Sequence, residues 1–218
     1  MFPFRFYSAY KEVTDSKIIK ALSKAIDISV VNVPEFKGNT AVVCDMSGSM
    51  SSKISERSSV SMSEIAAICG AIAVRKSEES IIYAFAEYIR RIKVNSDDSV
   101  ITNAEKVMGA NVGYATYFHK VLEDMIQNRV HVDRIIVLSD MQVYGDNLAG
   151  LLNSYKRLVN ENIYIYSIDL AGYGTVMFPE HESRHCMIGG WSERIFEYIP
   201  LFESDKNSML NVIEGIRI

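Results

Sequence analysis

Val42 to Ser52 reads VVCDMSGSMSS. An apolar run stops at one aspartate, Asp45, and serines follow at 47, 49, 51 and 52 around Gly48. A strand buried in a parallel sheet reads as a continuous apolar run, and polar groups gather where it leaves the sheet. The oxygens beyond Asp45 therefore either solvate a turn or hold a ligand.

Working outward, the same alternation recurs. Short runs rich in β-branched and aromatic residues (TAVVCD, SIIYAF, YIRRIKV, RIIVLSD, IYIYSIDL) alternate with longer amphipathic segments. These segments are SMSEIAAICGAIAVRK, VITNAEKVM, YFHKVLEDMIQN, LAGLLNSYKRLVNE and SERIFEYI. Ile135 to Leu138 is apolar at every position, as a strand covered on both faces must be. The βαβα order predicts a doubly wound α/β sheet, mostly parallel, with helices on both faces. The two runs around Glu87 lie too close together for a helical crossover, so SIIYAFAEYIRRIKV predicts a hairpin ending in an antiparallel edge strand. Two helical segments come first; over Ser16–Ser29, Ile18, Ile19, Leu22, Ala25 and Ile26 recur at helical spacing, with Thr14 or Asp15 as cap. VNVPEFKGN reads as the connection that follows.

With 218 residues the chain has room for one main domain. No apolar stretch approaches the ~18 residues of a bilayer span. The N-terminus interleaves aromatics with charges and lacks the zones of a secretory signal. No membrane attachment and a cytoplasmic location are the expectation. Cys44, Cys69 and Cys186 are dispersed and form no zinc spacing, so they read as free thiols. A net charge of −4 argues against a broad nucleic-acid footprint, although six Lys or Arg face four acids before Thr40.

In an open parallel sheet, ligands bind beyond the carboxyl ends of the strands. TAVVCD ends at Asp45 and RIIVLSD at Asp140, which places both carboxylates over one crevice. Ser47 and Ser49 stand two apart on the Gly48 turn, and ANVGYAT brings Thr116 ahead of a helix expected near Tyr117. Two carboxylates and three hydroxyls suit a hard divalent ion, Mg2+ or a relative such as Mn2+, better than zinc. Placement in surface loops predicts that Asp45→Ala removes metal binding with little loss of fold.

The set D-x-S-x-S at Asp45, Ser47 and Ser49, then Thr116, then Asp140, resembles the metal-ion-dependent adhesion site (MIDAS) of von Willebrand factor A (vWA) domains, over about Lys37 to Ile199. The resemblance implies Ser47, Ser49 and Thr116 as direct ligands, Asp45 and Asp140 acting wholly or partly through water, and a partner's Glu or Asp carboxylate in the open position. The sequence departs from the family at VGYATYFHK, where two adjacent glycines usually precede the threonine and an acid follows it. The flanks FPFRFYSAYK, KIIKALSKAIDIS and VNVPEFKGN, with the far end IYIYSIDLAGYGTVMFPEHESRHCMIGGWSERIFEYI, are similar to Ro ribonucleoproteins, in which a helical ring (the TROVE module) leads into a C-terminal A domain. That likeness divides the chain into a helical segment, 1–36, and a vWA-like domain with a helical tail, 37–218. It implies an adhesion module of a short relative or excised part, with RNA association indirect or through the basic N-terminal segment. Its partner would be a ring-bearing protein, a nuclease complex or a second copy. Phe2, Phe4, Phe6, Tyr7 and Tyr10 are expected to pack against the chain's own helix rather than a partner.

A Mg2+-dependent phosphoryl-transfer enzyme is one alternative, but G-x-x-x-x-G-K-[ST] and G-x-S-x-G are absent, and Ser47 stands where a haloacid-dehalogenase-type phosphatase places its second aspartate. His119, His131, His181 and His185 are scattered. His119 reads as a satisfied residue beside the site, YGTVMFPEHESRHC as a solvated loop, and Trp191 as an anchor of the last helix. The expectation is a non-enzyme. A metal-free oligomeric scaffold is the other alternative.

Overall fold

A computed structural model describes residues 3–56, 58–143, 147–178, 184–190, 192 and 195–204. Helices α1 (Pro3–Glu12) and α2 (Ser16–Ser29) come first, and Asp15 caps α2 by accepting from the amides of Lys17 and Ile18. Strand β1 (Phe36–Asp45) follows, then α3 (Met62–Lys76), β2 (Ser77–Phe85), β3 (Ile89–Ile92), α4 (Val100–Met108) and α5 (His119–Gln127). The order closes with β4 (Arg134–Ser139), α6 (Leu148–Leu158), β5 (Tyr164–Asp169), β6 (His185–Gly189) and α7 (Ile195–Ser204).

The six strands lie in the order β3-β2-β1-β4-β5-β6. All neighbours are parallel except β2 and β3, which form the expected hairpin with β3 at the edge. Period-two alternation divides each strand between two cores. Val42, Cys44, Ile82, Ile136, Leu138 and Tyr166 pack under α3 with the N-terminal helices and α7. Ala41, Val43, Tyr83, Phe85, Ile135 and Val137 pack under α5 and α6. Helix α3 is buried from Ile65 to Val74, and its start is fixed by a capping box between Ser61 and Glu64. It lies so close to the sheet that a Cβ on Gly70 would stand 2.6 Å from Cys44 Sγ.

Two features differ from expectation. Strand β1 begins at Phe36 rather than Thr40, so part of VNVPEFKGN is strand. The register shifts between Phe36 and Asn39, and Gly38 there takes φ +77°, a bulge that hid the strand from a pattern of alternation. The second is β6, which extends β5 in parallel from within a stretch expected to be loop. Cys186 and Ile188 pack against the α3-side core while Met187 is exposed, an alternation too short to stand out in a five-residue edge strand.

Tyr7 is buried in the α3-side core, and Phe6 and Tyr10 pack on it, so these aromatics do pack at home. Phe2, His181, Trp191 and the end of the chain from 205 lie outside the described residues, as does the side chain of Phe4. Among the described residues no helix is long and apolar enough to cross a membrane.

Candidate metal centre

Strands β1 and β4 are neighbours at the point where the strand order reverses. Asp45 closes β1 and Asp140 follows β4, so the two carboxylates leave adjacent strands at one edge. Both residues are fully buried. One oxygen of Asp45 accepts from the Ser47 amide at 2.8 Å and the other from the Ser139 hydroxyl at 2.5 Å. Burial pushes the Asp45 carboxyl up to about 6 despite these hydrogen bonds from Ser139 and Ser47, with a smaller contribution from the charge of Asp140.

The turn beyond Asp45 is tight. The Ser47 and Ser49 hydroxyls lie 3.3 Å apart, and Ser49–Ser51 forms a single 3-10 turn. The Thr116 loop is tied to it, because the Gly48 amide donates to the Tyr114 carbonyl at 2.9 Å. Gly113, at φ +87°, lets this loop seat against Glu87, where any Cβ would meet the Glu87 side chain at 2.6 Å. The Tyr117 amide donates to the Ala86 carbonyl at the end of β2. Thr116, between these two anchors, is 4% exposed.

Asp140 Oδ1 accepts from the Gln142 amide at 3.1 Å, whereas Oδ2 is buried and has no hydrogen-bond partner among the described residues. A buried carboxylate oxygen left unpaired is costly, and such an oxygen at a strand end suits a cation or its water. Met141, next in the chain, takes φ +59°, a left-handed conformation uncommon for a side chain of its size. Its amide donates to Ser139 Oγ at 3.0 Å. Ser139 thus links Asp45 to the turn that aims Asp140. Sequence reasoning passed over Ser139; the available signal was a polar residue closing an otherwise apolar run.

Four of the five expected site residues therefore lie in loops that leave one edge of the sheet, and Asp45 closes the strand beneath them. Asp45 does not sit in a surface loop as expected, being the last residue of a central strand and completely buried. Its truncation to alanine would strand the Ser139 hydroxyl and the Ser47 amide, so isosteric Asn is the cleaner probe. Helix α5 starts at His119, two residues later than expected, because Tyr117 is held by Ala86. His119 itself differs from expectation: its Nδ1 is buried without a hydrogen-bond partner among the described residues, with the ring 5.5 Å from that of Tyr117. His185 and Cys186, expected in a loop, belong to β6, and His185 Nε2 lies 2.9 Å from Ser167 Oγ. Cys44, Cys69 and Cys186 form no disulfide among the described residues. Among the described residues no three His, Cys, Asp or Glu side chains converge as a metal cluster. The donors at the edge are hydroxyls and two carboxylates, a hard set that fits magnesium or manganese.

The family model of the Ro60 vWA domain matches residues 39–202. Among solved structures, the Ro (RSR) protein of Deinococcus radiodurans superposes with a TM-score of 0.74 at 16% identity, over 91% of this chain and 44% of that one. The chain thus spans less than half of that protein. A von Willebrand factor type A protein from Catenulispora acidiphila matches with a TM-score of 0.48 at 13% identity, over 76% of this chain and 41% of that one. The manganese-loaded TRAP protein of Plasmodium vivax matches at 0.45 and 14%, over 75% and 72%. No curated protein matches by sequence.

Proposed function

The chain belongs to the Ro60 vWA domain family, and from that premise we propose that it is a non-enzymatic protein-interaction module that docks an acidic side chain of a partner on a divalent cation. Ser47, Ser49 and Thr116 would hold the cation directly, and Asp45 and Asp140 wholly or partly through water. The cation supplies a positive point that a partner's Glu or Asp carboxylate completes. The chain's own residues do the positioning. Ser139 orients Asp45, the Gly48–Tyr114 hydrogen bond holds the third loop against the hydroxyl pair, and burial keeps bulk water from the carboxylates.

One observation carries this reading: Asp140 Oδ2, buried one residue beyond the serine that touches Asp45, has no hydrogen-bond partner among the described residues. Without a bound ion it has a cost and no return. Calorimetric titration with MgCl2 tests it. Wild type should give a saturable heat that Asp140→Asn loses while its far-UV circular dichroism is kept; an equal heat from the variant refutes the site.

Association with a ribonucleoprotein is the accompanying proposal, supported by Lys17, Lys20 and Lys24, all exposed on α2. Anisotropy of a labelled single-stranded oligouridylate should fall steeply as salt is raised. A flat response removes RNA contact through this helix.

A further inference from the structure

The edge that carries the metal centre also carries exposed aromatic surface that the cation does not use. Tyr114 is 83% exposed, and a Cβ placed on Gly48 would lie 3.7 Å from its ring, so this ring stands over the turn between Ser47 and Ser49. Tyr88, 59% exposed, stands at the end of the neighbouring strand, with its amide on the Val112 carbonyl of the same loop. Lys120, which bridges the Tyr88 and Tyr117 rings at 5.5 and 4.8 Å, spends its ammonium on the Glu87 carbonyl at 2.6 Å. At the end of β5, Asp169 accepts from the amides of Ala171, Gly172 and Gly174 and so shapes the loop that exposes Tyr173.

Charge decides what such a surface can take. Segments 109–118 and 170–178 contain no charged residue, and segment 86–88 contributes only Glu87. A phosphate backbone needs a run of Lys or Arg, which these segments do not provide. Exposed tyrosines at low local charge suit the apolar side chains of a protein segment, since Tyr gives large contact area at little entropic cost.

We propose that Tyr114, with Tyr88 beside its loop and Tyr173 in the loop after β5 at the same sheet edge, forms an aromatic rim that reads the neighbours of the docked carboxylate, so that the partner is a protein segment whose Asp or Glu is bordered by apolar residues. This rests on the metal-centre reading above. Tyr114 is the specificity-determining residue because its backbone carbonyl fixes the Gly48 turn while its ring faces the incoming chain.

The test is selection from a displayed peptide library with a fixed central Glu or Asp and randomised flanks, in MgCl2, for wild type, Tyr114→Ala and Tyr114→Phe. Wild type should enrich peptides with apolar flanks, Tyr114→Phe should retain the preference, and Tyr114→Ala should weaken binding of the enriched peptides about tenfold or more. Magnesium uptake, measured by calorimetry on the same preparations, separates the two ideas. Enrichment that survives chelation keeps the rim and removes the metal-centre reading. Three results overturn the rim: no apolar preference in wild type, the same preference in Tyr114→Ala, or a Tyr114→Ala defect seen with a labelled oligouridylate instead of the peptides.

Discussion

At the scale of single residues, Asp45 shows how a binding group is held ready at a cost. Its carboxyl is pushed up to about 6 by burial, against 3.8 for a free side chain. Between about pH 4 and pH 6 the folded, cation-free protein therefore holds a proton there that the unfolded chain has released. Its contribution to stability is full below about pH 4 and is lost as pH rises through about 6. Thermal melts between about pH 4 and pH 8 should show this as a difference between wild type and Asp45→Asn, with the variant relatively more stable at the upper end by about 2–3 kcal/mol at most. Saturating MgCl2 should narrow the gap by stabilising only wild type, and a pH-independent difference would contradict the assignment. Ser139→Ala should lower magnesium affinity without removing it, because it frees Asp45 Oδ2 from its donor while leaving every candidate ligand present. Asp45, Ser47, Ser49 and Asp140 were legible because an apolar run ending in oxygen-bearing side chains is a local pattern. Ser139 was not, because its role depends on β1 lying beside β4.

Among elements, α3 and α7 carry the predictions. Gly70→Ala places a Cβ against Cys44 Sγ and Ile82 Cδ1, and overpacking of this kind costs about 1–3 kcal/mol although alanine favours helix. Chemical denaturation measures it; an unchanged midpoint would mean that α3 can shift outward. Helix α7 is fastened by Arg134, 3% exposed, which gives two hydrogen bonds to Glu203 and others to Thr40 Oγ1 and the Lys37 carbonyl. Arg134 is buried and Glu203 half-buried, so removing the carboxylate leaves the guanidinium charge unpaired, and Glu203→Ala should cost about 1–3 kcal/mol in the same assay. The helices and central strands were readable from periodicity and length. Strand β6 was not: among the described residues HCMIG pairs with β5 alone, and its alternation rests on just Cys186 and Ile188 facing the core.

Over the whole molecule, α1 and α2 close one face of the α3-side core. Tyr7 and Lys11 both reach Glu64, the same residue that completes the capping box of α3, and Asp27 joins Arg75 to the amide of Val100 at the start of α4. A chain beginning at residue 36 would uncover that face, and we expect a lower melting temperature and increased binding of a hydrophobic dye; an unchanged melt would show the helices to be dispensable. The sequence by itself determined the layered α/β architecture, the antiparallel hairpin and the oxygen-rich ends of two strands, because these follow from local periodicity and from polar residues placed where strands stop. Only the tertiary structure decided which strands are neighbours, that Asp45 is buried, that one oxygen of Asp140 has no partner among the described residues, and that Tyr114 stands over the serine turn. Those properties arise from contacts between segments tens of residues apart, and no local pattern specifies them.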